Sequence, residues 1–353
     1  MHFLDGSYFP ENQEKLVITV APYGPQWEPA DFPEDIPVSM EEHVQKAVDC
    51  YNAGATVLHL HVREEDGKGS KRLSQFNELL ARLRVAVPDM ILQVGGSISF
   101  SPEGEGAEAK WLSDDTRHML AELTPAPDQV TVAINTGQMN IVELGTPEDY
   151  LATSFARQSV YDTYEEMVVP ANPQWAREHV RRLQAAKIQP HFQITSKPNL
   201  LTLERMIRAG VYKGPANLTW VAVGGGFDSP DPYSMTDFMR HVPDGATLTV
   251  EAQMRSNLPL NTMAIAMGLH VRCGIEDNLW APNGERSTSV QQVEQLVRIA
   301  RELGRGVANG KEAKAIYRIG KQYRSTEETL AELRYPVGQR PHRPALAERK
   351  VAA

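Results

Sequence analysis

The sequence predicts one α/β domain, a TIM (β/α)8 barrel with a long loop after strand 4 and a C-terminal extension. Three observations carry this. Eight short runs of β-branched and apolar residues recur along the chain, as strands buried on both faces of a parallel sheet do. An amphipathic, helix-like stretch follows each run, which is the alternation of βα units. Eight such units fit a closed barrel better than the open doubly wound sheet that eight strands also permit. At 353 residues, a prior of roughly 150 residues per domain gives two domains, yet α/β barrels of about 250 or more run as one. The expected division is therefore one barrel over residues 1–320 and an extension or arm over residues 321–353.

The expected strands, in order, are Lys15–Pro22, Thr56–Val62, Met90–Gly96 and Gln129–Asn135, then Gln189–Thr195, Asn217–Gly224, Ala246–Ala252 and Leu269–Ile275. The first helix has the clearest ends. Ser39 precedes it with Glu42 three residues on, a capping-box spacing, and Gly54 stands where a helix C-terminal glycine belongs. Apolar residues at helical spacing place further helices over Leu73–Val87, Asp114–Leu123, Pro173–Ala186 and Leu201–Gly210. Met235–Val242, Leu258–Met267, Ser289–Leu303 and Lys311–Ile319 complete the series. Gly137–Glu166 is too long for a plain connection and contains the strand-like Ser159-Val160-Tyr161. Long loops at that end of a barrel are usually functional. The segment beyond Lys321 is charged and rich in proline, either disordered or an arm against a neighbouring subunit.

Composition excludes several classes. The net charge is −9, against the basic surplus of a dedicated nucleic-acid binder, although local arginines can still hold an anion. Cys50 and Cys273 are the two cysteines, too few for a disulfide framework and not spaced as a metal or redox pair. No apolar run approaches the roughly 18 residues of a membrane span, and no secretory leader is legible. The expectation is a cytoplasmic enzyme with a small-molecule substrate, no nucleic acid and no membrane partner.

Two segments carry chemistry. His59-Leu60-His61 ends the second strand, and residues at i and i+2 of a strand face the same way. The pair can take two positions on a metal or be two buried, hydrogen-bonded histidines. Arg272-Cys273-Gly274-Ile275-Glu276-Asp277-Asn278 ends the eighth strand. In a closed barrel all strand ends face one cavity, so Glu276 can complete a His₂Glu set with an open position. The other reading is an Arg–carboxylate cluster closing the barrel. Gly224-Gly225-Gly226 and Gly95-Gly96-Ser97 follow strands and suit either a close phosphate approach or a turn that needs positive φ.

From Lys15 to Gly320 the chain resembles the β-keto acid cleavage enzymes. The marks are AGATVLHLHVR (Ala53–Arg63), Asn135-Thr136-Gly137 and, most specifically, GLHVRCGIEDN (Gly268–Asn278). The resemblance implies a TIM barrel holding zinc or another divalent metal on His59, His61 and Glu276. It also implies that a β-keto acid exchanges its acyl part with acetyl-CoA, giving acetoacetate and an acyl-CoA. Asp277, paired with Arg272, then removes the substrate proton, and a homotetramer is expected. The sequence departs from the family in places. Its Ser/Thr-rich segment before two glycines reads here Gly95-Gly96-Ser97, so the oxyanion donor is expected at Ser97 or at a backbone N–H. Acidic residues that meet a cationic substrate are replaced by Gln26 and, on the fifth strand, by His191 and Gln193. Gly95, Gly96, Asn135, Gln26, His191 and Gln193 are the expected substrate contacts, and the acyl tail is expected to be neutral or bulky. Two rivals stay open: a CoA-independent, metal-dependent hydrolase or lyase on a β-dicarbonyl compound, and a non-catalytic metal-containing binding barrel.

Overall fold

The computed structural model describes residues 6–96, 100–102, 109–111, 114–165 and 167–335. Within them lies a closed parallel barrel of strands β1 (Ile18–Val20), β2 (Val57–Leu60), β3 (Ile91–Val94), β4 (Gln129–Ala133), β5 (Gln189–Ile194), β6 (Asn217–Ala222), β7 (Thr247–Ala252) and β8 (His270–Cys273). Each strand pairs with its neighbours in sequence, and β1 closes the ring between β2 and β8. Thr19 stands opposite both Val57 and Arg272. This is the TIM-barrel topology expected from the alternating pattern.

Helices α1 (Met40–Ala53), α2 (Leu73–Ala86) and α3 (Asp114–His118) follow the first three strands. Ser39 caps α1 in a full capping box with Glu42, which satisfies two of the N–H groups a helix start leaves open. The main core lies between strands and helices. Leu58 and Leu60 of β2 belong to it with Phe76, Leu80 and Leu83 of α2, each worth roughly 1.5–3 kcal/mol when fully buried. The alternation that sends those leucines outward sends His59 inward.

Polar residues in the barrel interior are hydrogen-bonded in a chain. His59 Nδ1 meets Gln93 Oε1 at 2.8 Å, Gln93 Nε2 donates to Gln129 Oε1 at 3.0 Å, and His191 bridges Gln129 Oε1 and Thr219 Oγ1 at 3.1 and 2.7 Å. Tyr317 is fully buried beneath them. Its hydroxyl lies 2.8 Å from Thr249 Oγ1, and its carbonyl accepts from Asn217 and Gln189.

The excursion after β4 contains α4 (Pro147–Leu151) and α5 (Gln158–Glu165), and its Gly137–Gln138 pairs antiparallel with Val168–Val169. Ser159-Val160-Tyr161, expected as strand-like, is helical. Only Val160 of the three is β-branched, and side chains bond along a helical face: Gln158 to Asp162 at 2.6 Å, Thr163 to the Ser159 carbonyl at 2.7 Å. The excursion packs a second core over the C-terminal end of the barrel, where Trp27, Phe155 and Trp280 meet edge to face.

The remaining helices are α6 (Pro173–Ala185), α7 (Lys197–Arg208), α8 (Pro232–Met239), α9 (Asn257–Ala266), α10 (Ser289–Glu302), α11 (Gly310–Ile316) and α12 (Thr326–Glu332). Helix α12 lies against α7 and leaves Leu330 and Leu333 buried. Gly224 and Gly225 hold φ of +70° and +68°, and the Gly226 N–H donates to the Gln138 carbonyl at 2.9 Å. That segment is a turn packed on the excursion. No helix among the described residues is long and apolar enough to cross a membrane.

Candidate active site

Two strand ends build the centre of the site. On β2 and just past it, His59 and His61 are buried with ring centroids 5.0 Å apart. After β8 the chain turns sharply. Gly274 takes φ +121°, and a Cβ there would collide with the Ala21 carbonyl, so only glycine lets the turn press against β1. The Asp277 N–H closes this turn on the Gly274 carbonyl at 3.1 Å, and the Glu276 N–H reaches the Ala21 carbonyl at 3.2 Å. Gln26 Nε2 and Trp27 Nε1 both donate to the Glu276 carbonyl. The Glu276 carboxylate is thereby aimed at the histidines, 3.7 Å from His59 Nε2 and 3.5 Å from His61 Nε2.

These three residues offer ligand atoms that all lie within 4.8 Å of one another. Two further observations fit a metal. His61 Nε2 and Glu276 Oε2 are buried without a hydrogen-bond partner, a state that costs about 1–3 kcal/mol per group if nothing fills it. Gly95 faces the imidazoles so closely that a Cβ would lie 2.5 Å from His61 Nε2 and 2.7 Å from His59 Nε2. His59 is oriented from behind by Gln93, the arrangement that holds a metal-ligating imidazole in one tautomer. Burial, with Arg272 nearby for His59, depresses both histidines below the usual imidazole range. Both imidazoles are neutral at physiological pH, the form that can bind a metal.

Arg272 is the hub of the charged groups. Its Nε and Nη2 bond Asp277 Oδ2 and Oδ1, each at 2.9 Å, its Nη2 lies 2.7 Å from Glu276 Oε1, and its Nη1 lies 3.2 Å from Glu251 Oε2. Burial alone would weaken the guanidinium charge, but the three carboxylates raise its pKa well above the ordinary value. Asp277 is fully buried. Burial lifts it to about 6 against the pull of Arg272, which leaves a carboxylate ionised at neutral pH and basic enough to take a proton. Burial lifts Glu251 further, to about 8.

A cavity opens above these groups. His59, His61, Glu276 and Glu251 line it, with Gln26, Gln193, Gln253 and Thr195 as further polar lining. Met139, Ile141, Val169, Val221, Val223 and Phe227 supply the apolar wall. The structure thus brings together the expected His59, His61, Glu276, Gln26 and Gln193, with Arg272 and Asp277 directly behind Glu276. Gly95 lies against the histidines, and its N–H donates to the Leu60 carbonyl at 3.0 Å. Gly96 donates to Thr131 Oγ1 at 3.2 Å, so neither N–H is free for an oxyanion. His191 lies in the interior chain below the cavity with both ring nitrogens engaged. Asn135 lies past the end of β4, outside the cavity lining, and its Oδ1 is buried without a partner. Ser97 lies outside the described residues.

Sequence reasoning missed Glu251 and Gln253. A signal was present: a carboxylate in the strand Thr247–Ala252, otherwise apolar and hydroxylated, can only face the polar interior, and Gln253 shares its side two residues on. Phe227 and Val169 reach the cavity through tertiary packing that no local pattern announces.

A parallel barrel with a buried carboxylate–arginine pair and a three-residue metal-type cluster at the C-terminal mouth has the architecture of a TIM-barrel enzyme. Residues 15–319 match the family described as beta-keto acid cleavage enzyme, and the chain belongs to that family. It is 28% identical over 311 residues to 3-keto-5-aminohexanoate cleavage enzyme of Acetoanaerobium sticklandii, covering 87% of this chain and all of that protein. It is 25% identical over 302 residues to 3-dehydrocarnitine:acetyl-CoA trimethylamine transferase of Rhizobium meliloti, covering 81% and 91%. Among solved structures, ObcA bound to oxaloacetate superposes with a TM-score of 0.59 at 13% identity, over 81% of this chain and 67% of that one. That likeness concerns the fold.

Proposed function

We propose that this protein is a metal-dependent β-keto acid cleavage enzyme exchanging the acyl part of a β-keto acid with acetyl-CoA, giving acetoacetate and a new acyl-CoA. The observation that carries the reading is the bidentate Arg272–Asp277 pair beside the His59, His61 and Glu276 donor set at one cavity. Names of relatives that include acetyl-CoA support the co-substrate.

Two imidazoles and one carboxylate are a catalytic zinc set with an open position. His59, His61 and Glu276 would hold the ion, which as a Lewis acid would acidify the carbon beside a ketone and stabilise negative charge on its oxygen. Asp277 removes a proton from the carbon between the carboxylate and ketone of the β-keto acid. That carbanion attacks the thioester carbonyl of acetyl-CoA and expels the CoA thiolate. The thiolate attacks the ketone carbon of the original acid, the bond to the former methylene breaks, and acyl-CoA forms. The released carbanion of acetoacetate recovers the proton from Asp277. Arg272 holds Asp277 oriented throughout and favours its ionised form before the proton is taken and after it is returned. Ser97 is proposed as the hydroxyl donor to the thioester oxygen.

Gln26 and Gln193 offer amides, and Met139, Ile141, Val221 and Phe227 form an apolar wall. A neutral or bulky acyl tail fits this lining, because a buried ammonium without a counter-charge is costly. The test is turnover of varied β-keto acids by zinc-loaded protein, with and without acetyl-CoA. Acyl-CoA formation that needs acetyl-CoA supports the reading. Cleavage without it moves the protein to the hydrolase or lyase class, and absence of any turnover leaves a binding barrel.

A further inference from the structure

We propose that Gln253 is a rotating cover over Asp277: its amide closes the base off from the cavity and swings aside for the carbon that loses the proton. The proposal rests on the reading of Asp277 as the base and adds how a substrate reaches it.

Asp277 is fully buried, and neither it nor Arg272 lines the cavity. Gln253 joins the two places: it lines the cavity, and its Nε2 donates to Asp277 Oδ1 at 2.9 Å. A carboxylate offers about four acceptor positions, two on each oxygen. Arg272 takes one on Oδ2 through Nε and one on Oδ1 through Nη2, and Gln253 takes the second on Oδ1. The position left on Oδ2 has no exposed surface to receive a substrate. Proton transfer brings the reacting atoms to roughly 3 Å, and the Gln253 nitrogen already holds that place at Oδ1. A substrate carbon reaches the base once this nitrogen has left.

The movement is a side-chain rotation, because the backbone around Gln253 is fixed. Ser256 Oγ donates to the Gln253 carbonyl, and the Met254 N–H donates to the Asp277 carbonyl at 2.7 Å. Met254 is held at φ +56°, a left-handed conformation that a non-glycine residue keeps only when its surroundings over-determine it. The Gln253 side chain is held less firmly. Among the described residues its Nε2 makes the one bond to Asp277, while its Oε1 is buried without a partner. An unpaired buried acceptor offsets part of what the charged bond contributes. Rotation into the cavity gives both ends of the amide access to water. Closed and open rotamers therefore lie close in free energy, and a β-keto acid that binds the open form shifts the balance toward it.

The experiment measures two quantities on zinc-supplied protein without acetyl-CoA. One is the affinity for 3-oxohexanoate by calorimetry. The other is deuterium uptake from heavy water at the carbon between its carboxylate and ketone, by NMR. Gln253→Ala removes the cover. It should bind about three- to tenfold tighter and take up deuterium faster by the same factor at low substrate, because the share of protein in the open form no longer limits binding. A merely structural role would not tighten binding. Unchanged affinity, or slower uptake, overturns the proposal and makes Gln253 a fixed support of the base. If the variant fails to fold, a crystal structure of the zinc-supplied wild type with acetoacetate decides. The Gln253 nitrogen is then expected off Asp277 Oδ1, and a bond still in place with the acid bound overturns the proposal. Asp277→Asn keeps the two readings apart. Uptake absent from the wild type, or surviving Asp277→Asn, removes the base and the cover together. Uptake lost in Asp277→Asn but slowed in Gln253→Ala removes the cover alone.

Discussion

Arg272 and Asp277 meet through two N–H···O bonds, Nε to Oδ2 and Nη2 to Oδ1, each 2.9 Å long and fully buried. A planar fork facing a planar carboxylate fixes both the position and the rotation of Asp277, the base we propose. Lysine keeps the charge but presents a point donor, so Arg272→Lys is not conservative here. The variant should lower kcat by about 10²-fold or more, because small misplacements of a reacting group cost on that order. Metal content should stay at the wild-type level, since His59, His61 and Glu276 remain. Asp277→Asn should abolish exchange with the same retention of metal. Near-normal kcat in Arg272→Lys would show that the fork does not orient the base.

Gly95 leaves the space that the two imidazoles use. A Cβ at this position would lie 2.7 Å from His59 Nε2, closer than real side chains tolerate. Gly95→Ala should therefore push the His59 and His61 rings apart and weaken zinc affinity by about 10- to 100-fold, the scale seen when a supporting residue of a metal site is lost. Overall stability should change little, because the displaced atoms face a cavity. Competition with a chromophoric chelator measures the affinity. An unchanged constant would mean that no ion is held between these rings.

Much of the site was legible because it sits on strands. His59 and His61 share a side by the two-residue period, and Gly274 to Asn278 form one local turn, so sequence spacing alone carries their geometry. The barrel was legible for the same reason, from eight runs of buried-strand character. His191 shows the limit. It alternates onto the inner side as expected but lies below the cavity, because depth along a strand depends on the register with β4 and β6. Glu251 and the apolar wall needed the closed ring, where β7 and the excursion reach the same cavity from distant parts of the chain.

His191 has a measurable consequence for stability. Burial depresses its imidazole to about 3, with Arg272 adding to the effect. The unfolded side chain titrates near 6.5. Between these values the unfolded chain binds a proton that the folded chain does not. Its contribution is complete above about pH 6.5 and is lost as pH falls toward 3. His191→Gln should flatten this part of the acid limb, read as a smaller difference in urea midpoint between pH 7 and pH 5. An unchanged difference would assign the acid sensitivity to other buried histidines, such as His270.

Lys71 is a second buried basic group, with no carboxylate paired to it among the described residues. It is fully buried, and among the described residues its amine makes one long bond, 3.4 Å to the Gly95 carbonyl. Burial lowers its pKa to about 7, with Arg117 pushing the same way. The unfolded lysine holds its proton up to about 10.4. From about pH 7 to that value the folded state has released a proton that the unfolded state keeps, so stability gained by deprotonation rises with pH across this window. Methionine fills a similar volume and carries no charge. Lys71→Met should therefore stabilise the protein at pH 7 by about 1–4 kcal/mol, the range found when buried ionic groups give way to apolar ones. It should also remove the rise in stability between pH 7 and 9. Urea unfolding of both proteins at these two pH values measures each effect. A Lys71→Met protein that is less stable at pH 7 would show that the ammonium supports the Gly95 carbonyl strongly enough to outweigh its own burial.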